Sequence, residues 1–243
     1  MSRCKITIRY DGADYAGWQN QPGQSTIQGE VEKSLSRLFQ QEIEIFGQGR
    51  TDAGVHAEGQ VAHTDLPETK TTGKILHALR GILPEAIAVI DIEKVSDDFH
   101  ARFDAISRQY RYQVNTRQNP LKRNYSWYVS KPLNSELLHS CAALVKGTHD
   151  FINFSKTEDR DFGTTICTIE HSEWVDMEEE LIFRIWGNRF LRHLVRRLVG
   201  SMVRVASGRM EISDFEEMLK APEMELKGFS APAKGLVLEK VFY

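Results

Sequence analysis

The order in which the hydrophobic period changes along this chain limits its folds more than any other feature. Cys4, Ile6, Ile8 and Tyr10 alternate with Lys5, Thr7 and Arg9, the period of two of a half-buried strand. After a loop rich in Gly, Asp and Gln, Ile27, Val31, Leu35 and Leu38 fall on one face of a helix that Ser25 or Thr26 can cap. Residues 42–46 and 60–65 read as strands, 72–83 as a helix and 87–95 as a strand. Strand, helix, strand, strand, helix, strand is the split βαβ, or ferredoxin-like, unit. The order recurs: 109–115 and 125–130 are β-rich, and Asn134 can cap a helix through Val145. Residues 165–175 and 181–186 pattern as strands around an acidic turn, 190–206 and 213–220 as helices, and 236–242 as a last strand. No sequence repeat accompanies the repeated order. The expectation is an α+β protein of two ferredoxin-like halves, 1–105 and 106–243, with a largely antiparallel central sheet and flanking helices.

Composition excludes several classes. Hydrophobic residues are 41% and charged residues 27% of 243, so the chain can bury an ordinary core. Cys4, Cys141 and Cys167 are odd in number and contain no CxxC pair, which argues against a disulfide framework or a thiolate metal site. They suit a reducing, cytoplasmic setting. The first ten residues lack the apolar core of a signal peptide, and no run approaches the roughly 18 apolar residues that span a bilayer. The net charge of −3 hides an asymmetry: from Arg184 to Arg209 there are seven arginines and no acid. From Arg102 to Arg123 there are six basic residues against Asp104 alone. Polyanion binding depends on such local fields.

The segment Gly47-Gln48-Gly49-Arg50-Thr51-Asp52-Ala53-Gly54 lies between two strands. Its glycines permit unusual backbone angles, which is a way to hold a carboxylate and a guanidinium at a cleft. On its own such a loop is more often a turn whose Asp bonds its own backbone.

The wider pattern changes that balance. The run from Gly49 to Ala57 resembles the signature of pseudouridine synthases of the tRNA anticodon-arm class. Tyr10-Asp11-Gly12 through Gly17-Trp18-Gln19 looks like that family's opening, and Phe99-His100-Ala101-Arg102-Phe103 with Arg108-Gln109-Tyr110-Arg111-Tyr112 like its middle. His193-Leu194-Val195-Arg196 with Val199-Gly200 looks like its late motif, and Gly235-Leu236 fits its end. The resemblance implies isomerisation of uridine at positions 38, 39 and 40 of the tRNA anticodon arm, a homodimer and no cofactor. It implies Asp52 as nucleophile, Tyr110 as the residue that stacks on the base and assists proton removal, and Arg196 as the cation that keeps a shielded carboxylate charged. The active cleft is then expected between the halves. Arg50 is the competing cation, although it more naturally meets RNA. Spacing alone does not separate Tyr110 from Tyr112, which falls on the same strand face.

The late helix, read as 190–206, has an apolar stripe from Leu191 to Val205 and a second face of Arg189, Arg192, His193 and Arg196, extended by Arg197 and Arg204. Arg50, Arg192, His193 and Arg197 are therefore candidates for RNA contact. Tyr15 and Trp18 suit base stacking and packing equally. Three rivals weigh less. A zinc deaminase fits His56-Ala57-Glu58 but lacks its PCxxC half, and His63 brings no third partner, so no metal is expected. A passive RNA-binding module has no use for Asp52. A glycoside hydrolase needs a second carboxylate, and only Glu58 is near in sequence.

Overall fold

The N-terminal alternation becomes β1 (Ser2–Tyr10), whose inward residues Cys4, Ile6, Ile8 and Tyr10 are all buried. Helix α1 (Ile27–Phe39) follows a Thr26 cap that accepts from the Gly29 N–H. It buries Ile27, Val31 and Leu35. Then come β2 (Phe46–Gly47), β3 (His56–Leu66), α2 (Thr72–Ile82) and β4 (Ile87–Lys94). Antiparallel pairing gives the spatial order β4-β1-β3-β2. The expected strand over 42–46 is largely absent, and the reason is local. The Ile43 N–H goes to Ser36 Oγ and the Ile45 N–H to the Glu32 carboxylate, so α1 side chains take the donors a ladder would need.

The computed structural model describes residues 1–155, 164–221 and 227–243. The chain divides into two compact units, Met1–Ile106 with Val237–Tyr243, and Ser107–Leu236. The second unit opens with β5 (Ser107–Asn115), to which β6 (Trp127–Tyr128) adds a short parallel pairing. Next are α3 (Ser135–Val145), capped by Asn134, and β7 (Gly147–Asp150). The strands β8 (Ile166–Asp176) and β9 (Glu180–Gly187) precede α4 (Leu194–Ala206) and α5 (Ile212–Lys220). The antiparallel order is β5-β9-β8-β7. Phe151, Phe154, Phe183, Phe215 and Met202 are fully buried and fill this unit's core. The last strand, β10 (Leu236–Phe242), runs parallel to β3, with Val237 opposite His56 and Leu238 opposite Ala57. The sequence reading set it in the second half, whereas its residues from Val237 onward pack with the first unit. Gly59 makes that possible, since a Cβ there would meet the Glu239 carbonyl at 2.6 Å. Both units combine antiparallel strands with helices, so the protein is α+β.

The late helix starts four residues later than its pattern implied. After β9 the chain still follows β8, because the Asn188 N–H donates to the Thr168 carbonyl and Asn188 Oδ1 accepts from the Thr168 N–H. Residues 189–193 are needed to leave the sheet. His193 then takes a left-handed conformation, φ 66°, as the residue before α4. Arg189, Arg192 and His193 therefore do not share a helix face with Arg196.

Candidate active site

Asp52 sits half-buried on the loop between β2 and β3, and neighbouring backbone fixes the loop's shape. The Trp18 N–H donates to the Thr51 carbonyl at 3.1 Å, and the Tyr10 and Thr51 hydroxyls bond at 2.8 Å inside the core. Gly49 is tied down by Gln60, whose amide donates to its carbonyl. The Val55 N–H closes a turn onto the Asp52 carbonyl. Gly17 has φ +99°, and a Cβ there would lie 2.6 Å from the Thr51 carbonyl. At Gly12 a Cβ would lie 2.0 Å from the Val55 carbonyl. The early glycines thus exist for close approach to the loop that carries Asp52. His56 completes the clamp, with Nδ1 3.0 Å from Asp11 Oδ1 and 3.1 Å from the Gly12 nitrogen. Sequence reasoning missed this contact, although the Asp-Gly pair after β1 was its signal. Trp18 is 2% exposed and lies against Tyr10 and Gly47, so it packs rather than stacks on bases. Tyr15 is half-buried.

Arg50, two residues before Asp52, is exposed. Glu58 is also exposed, on β3. His63 is buried, and burial first, then the neighbouring His100, lowers its pKa to about 4. Its Nδ1 accepts from the Ala101 N–H, and among the described residues no group of three His, Cys, Asp or Glu side chains is placed to hold a metal ion. The thiols are inert: burial pushes Cys141 up to about 12 and Cys167 to about 11.

In the second unit the strand tyrosines part company. Tyr112 is fully buried, donates from its hydroxyl to the Pro232 carbonyl at 2.7 Å, and meets Trp127 edge-on. Burial raises its phenol above the ordinary value, and Arg196 pulls the other way. Tyr110 is half-buried, with the Phe190 ring edge-on at 5.0 Å. Arg196, in the first turn of α4, is half-buried and donates from Nε to the Ala231 carbonyl at 2.8 Å, while the Ala231 N–H returns a bond to the Arg196 carbonyl. Arg197 donates to the Ser155 carbonyl. Arg192 is exposed and His193 half-buried.

The two basic runs also differ. Arg117 pairs with Glu179 at 2.9 Å and Lys122 with Glu180 at 2.5 Å, so the β8–β9 turn neutralises part of the earlier run. The seven-arginine run places Arg184 across from Glu173 on β8.

A glycine-clamped Asp52 loop on an α+β scaffold that also carries exposed cations suits an enzyme acting on nucleic acid. Sequence comparison gives the family: the chain matches the tRNA pseudouridine synthase family over residues 6–104 and 141–243, and it belongs to that family. It is 43% identical to tRNA pseudouridine synthase A of Dictyoglomus turgidum over 247 residues, covering 100% of both chains. It is 40% identical to the protein of that name from Chlorobium luteolum, covering 100% of this chain and 96% of the other. The corresponding Bacillus pumilus protein is 38% identical, over 99% of each. The activity is that of an isomerase acting on tRNA.

Proposed function

We propose that this chain converts uridine to pseudouridine at positions 38, 39 and 40 of the tRNA anticodon stem-loop, with the Asp52 carboxylate as nucleophile. The observation that carries this reading is the Asp52 loop itself. The backbone that carries this half-buried residue is held by main-chain contacts from Gly17, Trp18 and Gly12, so the loop meets a substrate without first being ordered. In the reaction the bond from C1′ to N1 breaks, the base turns, and C1′ joins C5, whose proton leaves. The carboxylate adds either to the base or to C1′ and is expelled when the new bond closes. Tyr110, with its hydroxyl on a half-buried strand face, is the group we assign to the base and its proton. Arg196 is the assigned cation for Asp52. Arg50, Arg192, His193 and Arg197 are the assigned RNA contacts, and Arg197 also gives one N–H to the Ser155 carbonyl.

The substrate keeps all its atoms and its redox state, so the reaction needs no cofactor. No helix among the described residues is long and apolar enough to cross a membrane. Cytoplasmic tRNA supplies the substrate, and a homodimer is the proposed working form, two-fold pairing being the commonest assembly. The test is to incubate unmodified tRNA with the purified protein and map pseudouridine by position. Product at 38, 39 or 40 is expected, and product confined to another arm overturns the site assignment.

A further inference from the structure

A groove of about 390 Å³ runs along the second unit between β6 and the C-terminal end of α4. Trp127, Tyr128 and Lys131 line one side, Arg204 and Arg209 the other, and Phe229 reaches in from the segment after α5. We propose that this groove is a second RNA-contact site, taking one unstacked nucleotide of the tRNA, its base against Tyr128 and Phe229 and its phosphates on Arg209, Lys131 and Arg204.

Four observations carry this. Tyr128 is 43% exposed and Phe229 47%, so the groove they both line offers two solvent-exposed aromatic side chains. Three cations line the groove and, among the described residues, no acid does. The α4 C-terminus contributes about half a negative charge, which three full positive charges outweigh. Arg204 already lies over the Phe229 ring, 5.6 Å from its centre, the arrangement that lets a guanidinium back a stacked base. Finally the walls are held. β6 pairs with β5, the Val129 N–H donates to the Asn115 carbonyl, the Asn134 N–H to the Ala206 carbonyl, and the Phe229 N–H to Ser201 Oγ at 3.2 Å. Trp127 packs edge-on against Tyr112, which bonds Pro232 one residue from the Ala231 that holds Arg196. Arg204 itself lies eight residues along α4 from Arg196, about 12 Å of helix. Aromatic faces interleaved with cations match a nucleotide better than a peptide or a purely apolar partner.

The inference rests on tRNA as substrate but not on the role of Asp52, and its readout is affinity. Compare the full chain with its Arg209→Gln and Tyr128→Ala variants, both at exposed positions, and with Tyr128→Phe. Measure tRNA binding across a salt series, together with KM and kcat. Arg209→Gln should weaken binding about tenfold at low salt and flatten the salt slope by roughly one unit. Tyr128→Ala should weaken it about fivefold or more, with Tyr128→Phe close to the parent, because the ring face and not the hydroxyl is used. The loss should fall on KM more than on kcat. Unchanged affinity and slope in both variants would overturn the proposal. So would a shift in oligomeric state without a change in RNA affinity, which would mean that a second copy of the chain fills the groove. An Asp52 variant that remained active would refute the nucleophile assignment and leave these outcomes as they stand.

Discussion

The Asp52 loop and the segment from Arg189 to Arg197 both carry charged side chains, but those side chains are mounted differently. Around Asp52 the loop's main chain is held by close backbone approach, joined by the Tyr10–Thr51 and Gln60–Gly49 bonds. Gly12 and Gly17 leave no room for a Cβ, and Trp18 and Val55 bond the loop's own carbonyl and amide groups. The start of α4 also uses close approach, since a Cβ at Gly200 would lie 1.9 Å from the Phe229 carbonyl and one at Gly228 3.0 Å from the Arg197 Cβ. A left-handed histidine turns the chain, and the arginines there are secured through their side chains, Arg196 to Ala231 and Arg197 to Ser155. A carboxylate that must meet one reacting centre benefits from a rigid mount. Cations that meet a polyanion tolerate longer and looser arms.

The comparison breaks most easily at Arg196. Arg196→Ala should lower kcat by about a hundred- to thousandfold, the loss typical of removing one preorganised electrostatic group, with tRNA affinity reduced far less. The same variant also loses the bond to Ala231. If thermal melting falls while kcat stays near the parent value, Arg196 is a clasp for the second unit and the cation for Asp52 must be sought elsewhere, first at Arg50. On the glycine side, Gly17→Ala forces a side chain into positive φ and against the Thr51 carbonyl. A cost of about 1–3 kcal/mol is expected in chemical denaturation, with a lower kcat because the strain falls on the loop bearing Asp52. Unchanged kcat would mean that loop shape does not control reactivity.

The effect on pH is smaller and sits behind the loop. His63 has a folded pKa of about 4 against an ordinary value near 6.5, so the unfolded chain binds its proton more tightly. Its contribution to stability is present above about pH 6.5 and is lost as pH falls toward 4. The loss should be about 3 kcal/mol at most, and His63→Gln should flatten the stability profile in that window. A variant profile parallel to the parent's would show that His63 does not titrate on unfolding.

What the sequence made legible follows the same division. Period-two alternation located β1 and a helical stripe located α1, because their burial follows spacing alone. Gly54, at φ 78° between β2 and β3, marked the loop for a related reason: few residues other than glycine tolerate that conformation. Three features were hidden. The segment 42–45 has strand composition but gives its amides to α1 side chains. The start of α4 was masked by a non-glycine residue at positive φ, which carries no composition signal. The pairing of β10 with β3 links residues far apart along the chain, His56 with Val237, and no local pattern encodes it. The partners of Arg117 and Lys122 were equally invisible, since they lie more than fifty residues away in the β8–β9 turn.

The central claim is that Asp52 supplies the nucleophile. It is tested most directly by single-turnover tritium release from tRNA labelled at C5 of uridine, comparing Asp52→Asn with the parent. Asn is nearly isosteric and keeps one acceptor oxygen, so the clamped loop should hold and tRNA should bind as tightly or slightly more so. An amide neither attacks nor steadies a developing cation, so release should fall by many powers of ten. Normal binding with release near the parent rate would contradict the account.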